Sequence, residues 1–147
     1  MCHAKIKTLE LDKFYRTLGR ITFSFSKIDF ITSNLAVEMG LYGTYQECYD
    51  ISSSTKINQL KAKALELPEL KIKKSVLSWL DNLDELRKKR NLVVHSIIMK
   101  NVSDDNDFRL HNFRKDKNGI HRIVETFTSD DFEHLDKELI RVLNEVF

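Results

Sequence analysis

The chain holds one proline and four glycines in 147 residues, too few interruptions of regular backbone for a fold of many short strands. That scarcity favours long helices and disfavours an all-β sandwich. Cysteine is also scarce: Cys2 and Cys48 are the only two, and neither belongs to a C-x-x-C pair. This argues against a disulfide framework and a structural zinc site, and it points to a reduced, cytoplasmic setting. No stretch approaches the roughly 20 apolar residues that span a bilayer. The opening Met-Cys-His-Ala-Lys-Ile-Lys lacks the apolar core of a signal peptide, so a soluble chain with no membrane attachment is expected. An excess of one charge is missing too. With 24 basic and 22 acidic residues the net charge is +2, too balanced for nonspecific coating of nucleic acid, so any phosphate contact must be local.

A hydrophobic share of 41% and a charged share of 31% fit one globular core at this length, so residues 1–147 read as a single domain. Between Leu11 and Tyr42, apolar residues recur in steps of three and four at Leu11, Phe14, Leu18, Ile21, Phe25 and Ile28. The stripe breaks at Thr32, resumes at Leu35 and Met39, and predicts one long helix that Gly40 and Gly43 stop. Phe23, Phe30 and Ile31 lie off the stripe and widen its apolar surface toward more than one neighbour. Hydroxyls from Ser52 to Thr55 offer caps for a shorter helix through Ile57, Leu60, Ala64 and Leu67, and Pro68 ends it or opens the next. A third stripe runs through Ile72, Val76, Trp79, Leu83 and Leu86, then Arg90, then Val93 and Ile97. A charge thus stands where the core row should continue.

A polar, acidic loop follows from Asn101 to Asp107. Two β-like runs, Phe108 to Phe113 and Ile120 to Phe127, flank Asp-Lys-Asn-Gly at Asp116 to Gly119. Asn-Gly tolerates the positive φ of a tight turn, which predicts a β-hairpin inserted at about residues 106–128. Thr128 or Ser129 then caps a closing helix with Phe132, Leu135, Leu139, Leu143 and Val146 on one side. The expected class is all-α, a four-helix bundle with a small hairpin insertion before the last helix.

The chemistry concentrates in Leu86-Arg-Lys-Lys-Arg-Asn-Leu-Val-Val-His95. Imidazole accepts and donates protons near neutrality, and the guanidinium fork suits phosphate oxygens and the charge that builds on them during in-line attack. Arg90 and His95 are candidates for metal-free cleavage of a phosphodiester by its neighbouring ribose 2′-hydroxyl, which makes RNA the substrate. The two diverge by about 140° on a straight helix, so a twofold dimer that crosses this helix over its copy serves convergence best. Asn91 shares the face of His95 and is expected to orient it or to bind phosphate. Asp29 is carried as an accessory acid for His95, against the plainer reading of a solvated or paired aspartate. Arg87, Lys88 and Lys89 either form a solvated charge run or line the rim of an RNA cleft.

Arg90-Asn91-Leu92-Val93-Val94-His95 resembles the Arg-x4-6-His motif of the HEPN (higher eukaryotes and prokaryotes nucleotide-binding) superfamily, with Asn91 in the polar position that commonly follows the arginine. The resemblance implies a helical bundle, a homodimer, metal-independent endoribonuclease activity with no cofactor, and a role in a prokaryotic toxin or antiviral defence system with an antitoxin or other partner protein. Members neutralised by nucleotide transfer carry a tyrosine two residues after the histidine; here that residue is Ile97, which sets this mode of control in doubt. Arg114 and His121 also satisfy the bare spacing, but they span the hairpin turn.

His111, His121 and His134 have no recognised metal-ligand spacing, and Trp79 fits the apolar stripe as a core residue. Tyr42, Tyr45 and Tyr49 either contact a base or cover the bundle's end. Two other readings fit the same residues: a noncatalytic nucleotide-, RNA- or protein-binding module, and a structural dimerisation domain in which Arg90 forms an interfacial ion pair.

Overall fold

The structure, a computed structural model, describes residues 2–100 and 107–145, with side chains from residue 11 onward. Apart from Asp107, the acidic loop expected from Asn101 lies outside the described residues, as does Val146.

Helix α1 (Cys2–Glu38) is 37 residues long. It ends as the sequence anticipates at Gly40, whose φ of 72° lets the amide of Leu41 reach the Ala36 carbonyl and its own amide reach that of Val37. A side chain at that φ is strained, so glycine makes the stop sharp. A short 3₁₀ turn (Gln46–Cys48) leads to α2 (Ser53–Ala64), where the Ser52 hydroxyl accepts from the Thr55 amide at 3.2 Å. Helix α3 (Leu70–His95) follows Pro68, and α4 (Ser129–Asn144) begins in a reciprocal capping box between Thr128 and Asp131. Helices α1 and α3 each pack on both α2 and α4. The shared core includes Ile21, Ile28, Leu60, Leu83 and Leu139, all fully or almost fully buried.

The all-α expectation is overturned by a three-stranded antiparallel sheet, which makes this a helix-rich mixed α/β chain. The sequence puts Ile97 on the helical stripe of α3. Instead the helix stops at His95, Ser96 turns extended with ψ 148°, and Ile97–Lys100 form strand β1. The hairpin strands are β2 (Asp107–Asp116) and β3 (Gly119–Thr128), and the sheet order is β1-β2-β3. Period-2 burial explains the recruitment: Phe108 and Leu110 are buried on one face, with Phe127 and Ile98 of the same face packed against the core. The hairpin therefore carries part of the core rather than decorating it.

An aromatic cluster ties these layers together. The rings of Phe14 and Phe108 stack at 4.4 Å between centroids, and Phe132 meets them edge-on at 5.2 and 5.4 Å. Phe127 lies 5.3 Å from Phe132. Trp79 is half-buried, and its indole N–H donates to the Val142 carbonyl at 3.1 Å. Phe23 and Phe30 are 63% and 55% exposed, so the second neighbour expected for that side of α1 is not supplied by the described chain. No described helix is long and apolar enough to cross a membrane.

One buried charge fastens α2 to α1. The Lys56 ammonium, with no exposed surface, donates to Asp29 at 2.6 Å and to the Ser33 hydroxyl at 2.8 Å. Removing one partner of such a pair strands the other without solvent, whereas an apolar replacement of the buried ion does not. Asp29→Ala should cost about 3–5 kcal/mol in urea unfolding, and Lys56→Met less than half as much; equal losses would refute this account.

Candidate functional site

Arg90 follows Leu86 by four residues and precedes Val93 by three, so helical geometry turns it toward the interior with them. It is half-buried, and its guanidinium carbon lies 3.9 Å from the centroid of the Phe25 ring on α1. Nη1 donates to the Asn91 side-chain carbonyl at 3.0 Å, and the buried Nε has no hydrogen-bond partner. Burial holds the guanidinium below its ordinary pKa, and no carboxylate pairs with it among the described residues. A cation here rests on the negative face of an aromatic ring and one neutral oxygen. Of its donors, Nη1 is taken by Asn91, and the buried Nε is left unpaired.

The rest of the basic run behaves differently. Arg87 is bonded to Asp84 at 2.8 and 2.9 Å, and Lys88 reaches both Asp84 and Glu85. Burial pushes the Asp84 carboxyl up, but the hydrogen bonds from Arg87 and Lys88 outweigh it and hold the group below the usual range. Both cations are thus neutralised within their own helix. Lys89 is exposed and lines a cleft of about 320 Å³ between α3, α4 and the end of β3, with Glu85, Phe127, His134 and Glu138.

His95 is the last residue of α3, exposed, with no side-chain hydrogen bond among the described residues. Within one chain, then, Arg90 faces α1 and His95 faces outward. Asn91, expected to orient His95, accepts instead from Arg90. The Asp29 carboxylate takes the Ser53 hydroxyl and the Lys56 ammonium, both on α2, and no bond from it to His95 occurs among the described residues. Sequence reasoning missed Phe25, which it assigned to the core stripe; an aromatic ring on one apolar stripe and a charge interrupting another was the available signal.

Arg114 and His121 are direct cross-strand partners on the hairpin, and the His121 Nε2 lies 3.1 Å from Asp116. This second match has no helical setting. Tyr49 is largely exposed, Tyr45 lies 5.7 Å from Phe30 between ring centroids, and the Tyr42 hydroxyl meets Gln59. Among the described residues no group of three or more His, Cys, Asp or Glu is placed to hold a metal ion. No protein-family model, no curated protein and no solved structure matches the chain.

Arg90 contributes little net stability on this geometry, because its desolvation and its unpaired Nε oppose the ring contact. Arg90→Met, which keeps an unbranched stem against Phe25, should unfold within about 1 kcal/mol of the native chain. A loss above about 3 kcal/mol would make Arg90 a structural residue.

Proposed function

We propose that the chain is a metal-independent endoribonuclease of the HEPN type, acting as a homodimer in the cytoplasm, with Arg90 as phosphate stabiliser and His95 as proton-transfer group. The observation that carries this reading is the half-buried Arg90 guanidinium, held by Phe25 and Asn91 and paired with no carboxylate among the described residues. A phosphate is the natural counter-ion for a cation kept in that state, since the cost of removing it from water has already been met by the fold.

In the proposed reaction the ribose 2′-oxygen forms a bond to the adjacent phosphorus, and the bond from phosphorus to the 5′-oxygen breaks. One imidazole takes the proton from the 2′-hydroxyl, and a second, from the other copy, gives a proton to the departing 5′-oxygen. The products are a 2′,3′-cyclic phosphate and a 5′-hydroxyl. Arg90 carries the added negative charge on the phosphoryl oxygens. Asn91 acts through Arg90 as a positioning residue. Two copies are required because each chain brings a single exposed imidazole at the end of α3, turned away from its own Arg90. An antitoxin or defence-system protein that covers this end of α3 would restrain the activity.

Pure protein with single-stranded RNA and excess chelator should release fragments ending in cyclic phosphate, and the rate should rise with the square of protein concentration below the dimer's dissociation constant. Arg90→Ala and His95→Ala should each lower it at least about a hundredfold with unchanged circular dichroism. Binding without cleavage would leave a noncatalytic module. Loss of dimer in Arg90→Ala with no effect on RNA would leave a structural role.

A further inference from the structure

The sheet has a second face that the core does not use. Register places Ile97, His111 and Val124 in one row across the three strands, Met99, Arg109 and Thr126 in the next, and Phe113 opposite Arg122 further out. Lys115 and Ile120 form the last pair of this face before the turn. Phe113, Ile120, Ile97 and Met99 are 55%, 71%, 61% and 55% exposed. Apolar and cationic side chains thus alternate over an open surface roughly 20 Å long from Arg109 to Lys115.

The charge on this surface is one-sided. Arg109, Lys115 and Arg122 are exposed and make no ion pair among the described residues. The one carboxylate of the same strand parity is Asp107, half-buried at the far end beside α4. Asp116 lies on the other parity and is engaged by the Asn118 amide at 2.7 Å and by His121. Strand β1 pairs only as far as His111, so beyond it the hairpin continues as a two-stranded arm. Residues 112–123 carry Arg114, Lys115, Lys117 and Arg122 against Asp116 alone, a net charge of +3 in a chain whose total is +2. The chain's near-neutral balance thus hides a local basic segment in this arm.

We infer that the outer face of the sheet and the hairpin arm bind single-stranded RNA, with phosphates on Arg109, Lys115 and Arg122 and unstacked bases against Phe113 and its aliphatic neighbours. Alternating cations and apolar side chains match a strand whose phosphates and base faces are both accessible; a duplex hides its base faces and leaves Phe113 and Ile120 unmatched. A second copy on this face would set Arg109, Lys115 and Arg122 against their own like charges, with Asp107 the one carboxylate of the face among the described residues. The choice of RNA over DNA rests on the proposed cleavage, while the binding surface stands on its own residues.

Fluorescence anisotropy with a labelled 2′-fluoro RNA strand, which lacks the attacking hydroxyl, reads binding apart from cleavage. Three phosphate contacts predict a slope of log affinity against log salt near about −2. The triple variant Arg109→Gln, Lys115→Gln, Arg122→Gln should abolish most of that slope, and Phe113→Ser should weaken binding about tenfold. Arg109→Lys with Arg122→Lys should preserve the slope, which guards against a folding artefact. The triple variant should lose its slope on the 2′-fluoro strand whether or not cleavage is ever observed, so the two proposals fail separately. The inference is overturned if the triple variant, folded by circular dichroism, keeps its affinity and slope. Tighter binding of an equal-length duplex, displacement of the strand by polyglutamate of equal charge, or a shift in sedimentation from dimer to monomer in the triple variant would overturn it equally.

Discussion

Phe14, Phe108, Phe127 and Phe132 come from one helix, both hairpin strands and the closing helix, and their ring contacts fix how the sheet meets the helices. Each ring removes a large apolar area from water, and stacked or edge-on pairs add about 0.5–1.5 kcal/mol beyond that burial. Because the cluster grips the base of the hairpin, the opposite end is left to project. Because β2 must also pair with β1, α3 cannot run past His95. One set of packing contacts therefore determines both where the imidazole stands and where the basic arm begins.

Lys56 and Arg90, both drawn into the protein, are treated in opposite ways. Lys56 is fully buried and receives a carboxylate and a hydroxyl, which completes it and makes it a fastener between α1 and α2. Arg90 is half-buried and receives a ring face and an amide oxygen, which steady it without cancelling its charge. An ion that is neutralised contributes to architecture; an ion that is steadied but not neutralised retains its attraction for an anion. Arg87 and Lys88, one turn back, fall in the first group through Asp84.

Helical periodicity made the helices legible. The stripes through Ile21 and Ile28, through Leu83 and Leu86, and through Leu135 and Leu139 are the buried faces of α1, α3 and α4, and Gly40, Ser52 and Thr128 mark ends by local chemistry that any reader of the chain can apply. The Asn-Gly turn fixed the hairpin for the same reason, with Gly119 at φ 122°. The third strand was hidden because Ile97 falls in phase with both a helical stripe and a strand. Only the availability of β2 as a partner decides between them, and that is a contact far along the chain. In the site, Arg90's place on a buried row was legible, but its platform on α1 was not. Asp29 was open to two readings, an accessory acid for His95 or a solvated or paired aspartate, and its ion pair with Lys56 of α2 is a contact that spacing along the chain does not reveal.

A single residue, Ser96, separates the imidazole from the sheet, and its hydroxyl closes the last turn of α3 by donating to the Leu92 carbonyl at 2.5 Å. The joint has little slack. With one residue between them, the backbone that carries His95 is tied to strand β1, so any change that tilts the sheet turns the end of α3 with it.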